Sequence, residues 1–112
     1  MKHHHFSEAA ASPVEEGATG VTIRWLIDED MGARKFVMRQ FEIAPGGSTP
    51  LHKHDWEHEV YILTGNGTVF GNGRHNPLKP GDVVFMPGGE EHQFRNTSKR
   101  PLTFLCLIPA RK

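Results

Sequence analysis

The 112-residue sequence centres on one short stretch, Pro50-Leu51-His52-Lys53-His54-Asp55-Trp56-Glu57-His58-Glu59. It holds three histidines and the carboxylates of Glu57 and Glu59, and the apolar run 60–63 follows directly. Imidazole is the commonest metal ligand in proteins, and spacings of two and four residues let several rings reach one ion where the backbone turns. His92, far downstream, is a further candidate ligand. The stretch predicts a metal site if the fold returns His92 to it.

Composition is that of an ordinary globular domain and argues against several classes of function. The 112 residues are enough for one domain with a real core. Thirteen Lys and Arg balance thirteen Asp and Glu, so we expect no basic surface for nucleic acid. No apolar run approaches the roughly 20 residues of a membrane-spanning helix, which predicts a soluble, non-exported, cytoplasmic protein without a membrane partner. The one cysteine, Cys106, lies in an apolar run and predicts a buried free thiol.

Turn residues divide most of the chain into short β-strands. Residues 1–20 predict a partly flexible N-terminal arm, in which the role of His3-His4-His5 is left open. Beyond it, Gly, Pro and Asn-Gly steps separate runs rich in β-branched and aromatic residues, and Ala44-Pro45-Gly46-Gly47 is expected to end the second strand. No helix of ordinary length is predicted. The pattern favours an all-β sandwich or barrel over residues 21–112, with strands at 21–27, 36–43, 59–64, 68–70, 83–86, 92–96 and 102–108.

Alternation along the strands predicts which side chains share a pocket. Residues two apart on a strand face the same way, so His52 and His54 point together, as do His92 and Phe94. If the histidine-bearing faces look inward, apolar side chains surround a polar centre, as in most small-molecule sites. The predicted substrate pocket consists of Phe41, Val60, Phe94, Phe104, Cys106 and Ile108.

Two spaced motifs resemble those of a known family. The first cupin motif is matched by Gly46, His52, His54, His58 and Gly65. The second is matched at every position by Gly81, Pro87-Gly88-Gly89, His92 and Asn96. The chain resembles the small single-domain cupins of the cupin 2 conserved barrel type. This resemblance implies a double-stranded β-helix, the cupin or jelly-roll barrel, over residues 21–112.

One departure from the motif bears on the metal ligands. Many cupins carry glutamate where the spacing here places His58, and Glu59 stands one residue further along. Adjacent strand residues face opposite sides, so both reach one ion only across a bulge. The resemblance therefore implies a four-histidine site for one divalent ion, Mn, Fe, Ni, Cu or Zn, which imidazole ligands alone do not distinguish. The expected ligands are His52, His54, His58 and His92. A closed structural zinc site is the alternative.

The resemblance implies a metal-dependent enzyme with a small-molecule substrate. A dioxygenase, an oxidoreductase that uses dioxygen, is the first hypothesis, because open metal positions in an apolar pocket suit it. The alternatives are a non-redox isomerase or lyase acting on a sugar or keto acid, and a non-catalytic cupin that binds metal or a small molecule. Cupins commonly pair through sheet edges, so we also expect a homodimer.

Charged and aromatic neighbours of the motifs have two interpretations each. Arg39 could serve catalysis by holding a substrate carboxylate, or it could be a solvated residue on the outer face of its strand. Glu59, and with it Glu57, could accept hydrogen bonds from the ligand rings or lie on the surface. Trp56 is expected to anchor the turn between the ligands.

Overall fold

In the computed structural model, which describes residues 1–111, the chain is built almost entirely of β-strands. There are nine, β1 (Ala11–Val14), β2 (Thr19–Ile27), β3 (Phe36–Ser48), β4 (His58–Thr64), β5 (Gly67–Gly71), β6 (Arg74–Leu78), β7 (Val83–Met86), β8 (His92–Arg95) and β9 (Leu102–Pro109). Two short 3-10 turns span Phe6–Glu8 and Glu29–Met31. Over residues 1–111 no helix has the length and apolarity needed to cross a membrane. The predicted all-β class is confirmed.

The nine strands form one curled sheet that folds into a half-barrel of the jelly-roll type. The hydrogen-bonded order is β6-β5-β8-β3-β9-β4-β7, while β2 also pairs with β3 and β1 with β2. The long β3 makes the curl possible, because residues 36–43 pair with β9 whereas Ser48 pairs with Arg95 of β8. One strand therefore belongs to both halves of the sheet.

Alternating side chains fill the interior between these halves. β9 buries one face, with Leu102, Phe104, Cys106 and Ile108 at most 7% exposed. The Phe104 ring stacks against Phe94, with ring centroids 4.7 Å apart, and against Phe41 at 5.3 Å. The fully buried residues around Phe104 include Val37, Ile43 and Ile62.

Two strands were not predicted, because neither carries an alternating apolar signal. β1 contains Ser12 and Pro13, which are poor strand formers, yet it pairs with β2 from Ala11 opposite Arg24 to Val14 opposite Val21. β6 buries only its last residue, Leu78. Part of the expected N-terminal arm thus belongs to the sheet. β1 is held in place by pairing with the edge of β2 rather than by the strand propensity of its own residues.

The prediction that Ala44-Pro45-Gly46-Gly47 ends the second strand was wrong. β3 continues to Ser48. Ile43 of β3 pairs with Val21 of β2, and Ser48 pairs with Thr19, so β3 has more residues than β2 between these two pairs. The extra residues bulge out of the pairing, which a proline and two glycines tolerate. The bulge lets β3 change direction between the two halves of the sheet.

Two glycines with positive φ, Gly65 after β4 and Gly73 between β5 and β6, provide a test of packing. Gly65 and Gly73 have φ of 85° and 70°. A Cβ at Gly65 would collide with the Pro101 carbonyl oxygen, whereas a Cβ at Gly73 would meet nothing within 4 Å. We expect Gly73→Ala to lower the free energy of unfolding by about 1 kcal/mol through backbone strain alone. Gly65→Ala should lose a further ~1–3 kcal/mol through the collision. Urea unfolding of both variants measures the difference, and equal losses would contradict it.

Candidate metal centre

A short antiparallel contact brings the distant His92 to the opening stretch. The His52 N–H donates to the His92 carbonyl at 3.2 Å, and the His92 N–H donates to the His52 carbonyl at 2.9 Å. His92 is the first residue of β8, and His52 follows β3, which already pairs with β8 at Ser48. The two ring centroids consequently lie 4.9 Å apart.

The other two histidines complete a cluster of four rings. His54 lies 4.5 Å from His52 and 5.2 Å from His92, measured between ring centroids. His58, the first residue of β4, lies 4.6 Å from His54 and 5.0 Å from His92. On its other side His54 stacks on Trp56, with centroids 4.4 Å apart and planes 4° from parallel.

Three of the four expected ligands form a compact group in the structure. One candidate ligand atom from each of His52, His54 and His92 lies within 4.8 Å of the others. His58 falls outside this group, although its ring belongs to the cluster. The structure thus brings three of the four predicted ligands into one compact group, and the His58 ring lies beside that group.

The ring nitrogens of His54, His58 and His92 include atoms that are free to bind a ligand. His92 Nδ1 lies 2.9 Å from the Glu90 carbonyl oxygen, which can only accept, so Nδ1 carries the proton and Nε2 offers a lone pair. The Nε2 atoms of His54 and His58 are buried and have no hydrogen-bond partner within residues 1–111. Buried polar atoms seldom remain unpaired in a native fold. A nitrogen-only set of this kind fits a divalent transition-metal ion.

Burial lowers the pKa of three of these rings, those of His52, His54 and His58, and so favours their neutral form. Burial, with smaller effects from His92 and other neighbouring charges, lowers the pKa of His52 to about 4. Burial and then the Arg39 charge lower the pKa of His58 to about 3, and burial also lowers that of His54. Neutral imidazoles have lone pairs available for an ion at neutral pH.

The histidine cluster opens into a cavity of about 410 Å³. All four histidines line it, and so does Arg39. Of the predicted substrate pocket, five residues line the cavity, namely Phe41, Phe94, Phe104, Cys106 and Ile108. The walls are therefore mainly apolar around a polar centre, the usual composition of a small-molecule site.

Three charged residues, Glu29, Arg39 and Arg111, line the cavity, and Arg39 lies among its aromatic side chains. Its Nη2 donates to Cys106 Sγ at 3.0 Å, and its guanidinium lies over the rings of Trp25 and Phe41 at 5.6 and 5.0 Å. Its Nε is buried without a hydrogen-bond partner. Burial lowers the pKa of Arg39, an effect that Cys106 partly opposes. The Arg39 Nε–H is thus a donor that a ligand in the cavity could engage.

Comparison with known proteins assigns the family. Residues 39–108, well over half of the chain, match the family described as Cupin domain. The chain belongs to the cupins. This cupin is 40% identical over 84 residues to the oxalate-binding protein of Thermotoga maritima, and the match covers 74% of this chain and 69% of that protein. It is 37% identical over 75 residues to the 1-methylthio-D-xylulose 5-phosphate methylsulfurylase of Rhodospirillum rubrum, covering 67% of this chain and 48% of the relative.

Among solved structures, the cupin is similar to the polyketide cyclase RemF from Streptomyces resistomycificus. The TM-score is 0.93 and the sequence identity 40%, and the superposition covers 99% of this chain and 80% of RemF.

Two predicted site residues of this cupin lie elsewhere. Glu59 is exposed on the outer face of β4, opposite Phe85 and Leu107, so its carboxylate faces away from the histidines. Strand alternation is the reason, because His58 beside it faces inward. Val60 does face inward but is packed in the apolar core at 4% exposure, and it is absent from the cavity wall. Glu57 is also exposed.

Several cavity residues of the cupin were missed from the sequence. Trp56 was expected to anchor the turn, yet its ring lines the cavity, and the Arg111 guanidinium lies 3.7 Å from the ring centroid. The backbone N–H of Arg111 donates to Glu29 Oε2 at 3.0 Å. Trp56 stands two residues after His54, and this spacing could have indicated that both side chains point to the same side. Val37 shares a strand face with Arg39 and Phe41, which was a signal of the same kind. Further cavity residues without such a signal are Val14, Ile23, Trp25, Glu29, Thr49 and Pro50.

Proposed function

We propose that this cupin is a metal-dependent enzyme that closes a ring in an enolisable, anionic small molecule of the polyketide type. The observation that carries the proposal is the cavity itself, in which a nitrogen-only histidine cluster and the half-buried Arg39 line one space together with aromatic side chains. The likeness to a polyketide cyclase over nearly the whole chain supports the same class of substrate.

The proposed ligands of one divalent transition-metal ion are His52, His54, His58 and His92. The compact group of three and the unpartnered Nε2 of His58 support this set. A bound ion would supply a Lewis acid whose positive charge no ligand carboxylate offsets. Its identity among Mn, Fe, Ni, Cu and Zn is left to measurement, since imidazole suits several of them.

The cavity residues favour a flat, largely apolar substrate with one acidic oxygen. Phe41, Phe94 and Phe104 provide a stacked aromatic wall, against which a planar conjugated body packs well. The Arg39 guanidinium lies over the Phe41 ring of that wall, where it would bind an enolate or carboxylate oxygen. A polyketone in its enolic form has both properties.

Ring closure of such a substrate is balanced without any oxidant. A carbon–carbon double bond forms between an enolisable methylene carbon and a ketone carbonyl carbon. The carbonyl oxygen leaves as water with the two hydrogens that the methylene carbon loses. Arg39 would hold the anionic oxygen and the aromatic wall would exclude water, so that the chain folds onto itself rather than reacting with solvent.

Dioxygenase activity is the second candidate, and the donor set is the observation that favours it. Four neutral imidazoles accept the redox ions Fe and Cu as readily as Zn. Non-catalytic binding is the third, and the name of the oxalate-binding relative favours it.

Turnover in the absence of oxygen separates these functions. Protein loaded with zinc or with iron is incubated anaerobically with an aryl-terminated linear triketone, with metal-stripped protein as control. We expect a cyclised product lighter by one water from the zinc form, formed at an unchanged rate in air. Product that appears only in air, with oxygen consumed, would establish the dioxygenase. Binding by calorimetry without product would overturn both enzymatic functions.

A further inference from the structure

Cys106 lies between the arginine and the metal cluster. Its side chain is 3% exposed, and β9 places it directly opposite Arg39 of β3 and Val60 of β4. Its Sγ is 3.0 Å from Arg39 Nη2 and 3.2 Å from His58 Nδ1. The thiol therefore connects the two polar parts of the cavity.

The direction of these hydrogen bonds decides how His58 can act. A guanidinium only donates, so the sulfur accepts from Arg39. If the thiol donated to His58 Nδ1, the imidazole proton would lie on Nε2, where it would be buried without an acceptor. If Nδ1–H donates to the sulfur instead, Nε2 carries a lone pair. The second arrangement leaves the weak S–H donor, rather than the stronger imidazole N–H, without an acceptor, and the nearby Arg39 charge favours sulfur as the acceptor.

His92 shows the same principle with a backbone partner. Its Nδ1–H donates to the Glu90 carbonyl, which leaves Nε2 free. For His58 no such bond to a carbonyl appears among the described contacts, and Cys106 Sγ is the partner of Nδ1. The Cys106 side chain, on another strand, thus binds the Nδ1 of His58 as the local backbone carbonyl binds the Nδ1 of His92.

We propose that Cys106 is a positioning residue that holds His58 in the Nδ1–H tautomer and directs its Nε2 lone pair toward the other three histidines. The inference rests on the proposed metal function, in which His58 is the fourth ligand. Outer partners of this kind fix ring orientation and tautomer, and their loss typically weakens metal binding by about 10–100-fold.

The test reads the tautomer in metal-free protein, by NMR that correlates the ring carbon protons of His58 with both ring nitrogens. We expect Nδ1–H in the wild type, and Nε2–H or a mixture in Cys106→Ala. Zinc affinity, measured by competition with a chelating dye, should fall about 10–100-fold in that variant. Cys106→Ser, whose hydroxyl can also accept, should keep the Nδ1–H tautomer and lose less affinity. Val60→Ala is the matched control, since it removes neighbouring buried volume without a hydrogen bond and should leave the tautomer unchanged.

The outcomes separate this inference from the metal function. A wild type with Nε2–H on His58 would overturn the positioning role whether or not metal binds. The same would follow if Cys106→Ala changed neither tautomer nor affinity. If His58 carries Nδ1–H and the variants behave as expected, but no form binds zinc, the tautomer assignment stands and the proposed metal function fails.

Discussion

His58→Ala should bind a divalent metal at least ~100-fold more weakly than the wild type, whereas Glu59→Ala should bind a full equivalent. Loss of a direct ligand exceeds the effect of losing an outer partner, which sets the lower bound. The two residues are adjacent, but His58 is buried against the cluster and Glu59 is exposed opposite Phe85. Elemental analysis of protein purified without added metal, followed by zinc titration of the stripped protein, measures both effects.

The two variants are well matched because they truncate adjacent residues of one strand, one removing an imidazole and the other a carboxylate. Retention of metal in His58→Ala would reduce the site to the compact group of His52, His54 and His92. Loss of metal in Glu59→Ala would mean that β4 changes register around a bound ion and brings a carboxylate inward.

Arg39→Met should abolish most activity while leaving the fold at least as stable. A charge-assisted hydrogen bond to a substrate oxyanion is worth ~1.5–3 kcal/mol, so we expect kcat/KM to fall about 10–100-fold. Stability should not fall in parallel, since burial already disfavours the charge of Arg39 and its contacts are a thiol and two aromatic faces. A methionine of similar length suits these aromatic neighbours.

Kinetics with the triketone and thermal unfolding are measured on the same preparations. Arg34→Met, at an exposed position, is the control and should change neither quantity. If Arg39→Met unfolded well below the wild type, the guanidinium would have a structural role. If activity were unaffected, the substrate would bind without an ionic contact.

Motif spacing and strand alternation were enough to identify much of this site from the sequence. His52, His54 and His92 were predicted as ligands on spacing, and the structure brings them together through the contact between His52 and His92. Alternation likewise placed Phe104 and Cys106 on the inward face of β9. These features depend on local geometry that a strand imposes on any sequence.

Features that depend on the third dimension could not be predicted in the same way. Val60 has the parity of a pocket residue, yet it packs in the core, because parity selects a face and says nothing of depth along the strand. The sequence did not decide whether the Arg39 side chain points into the barrel or out to solvent. The alternation of polar and apolar residues along its strand is compatible with either face being inward. Arg111 reaches Trp56 only through tertiary folding.

The cavity described above has two sets of walls with different origins. The histidines come from the two motif segments, whereas Val14 belongs to β1, and Arg111, which lies over Trp56, follows β9. Neither Val14 nor Arg111 contributes a metal ligand or lies within the matched region 39–108. These flanking segments therefore shape the cavity without supplying a histidine, and exchanging them between two cupins would change the cavity wall while leaving the histidine cluster intact.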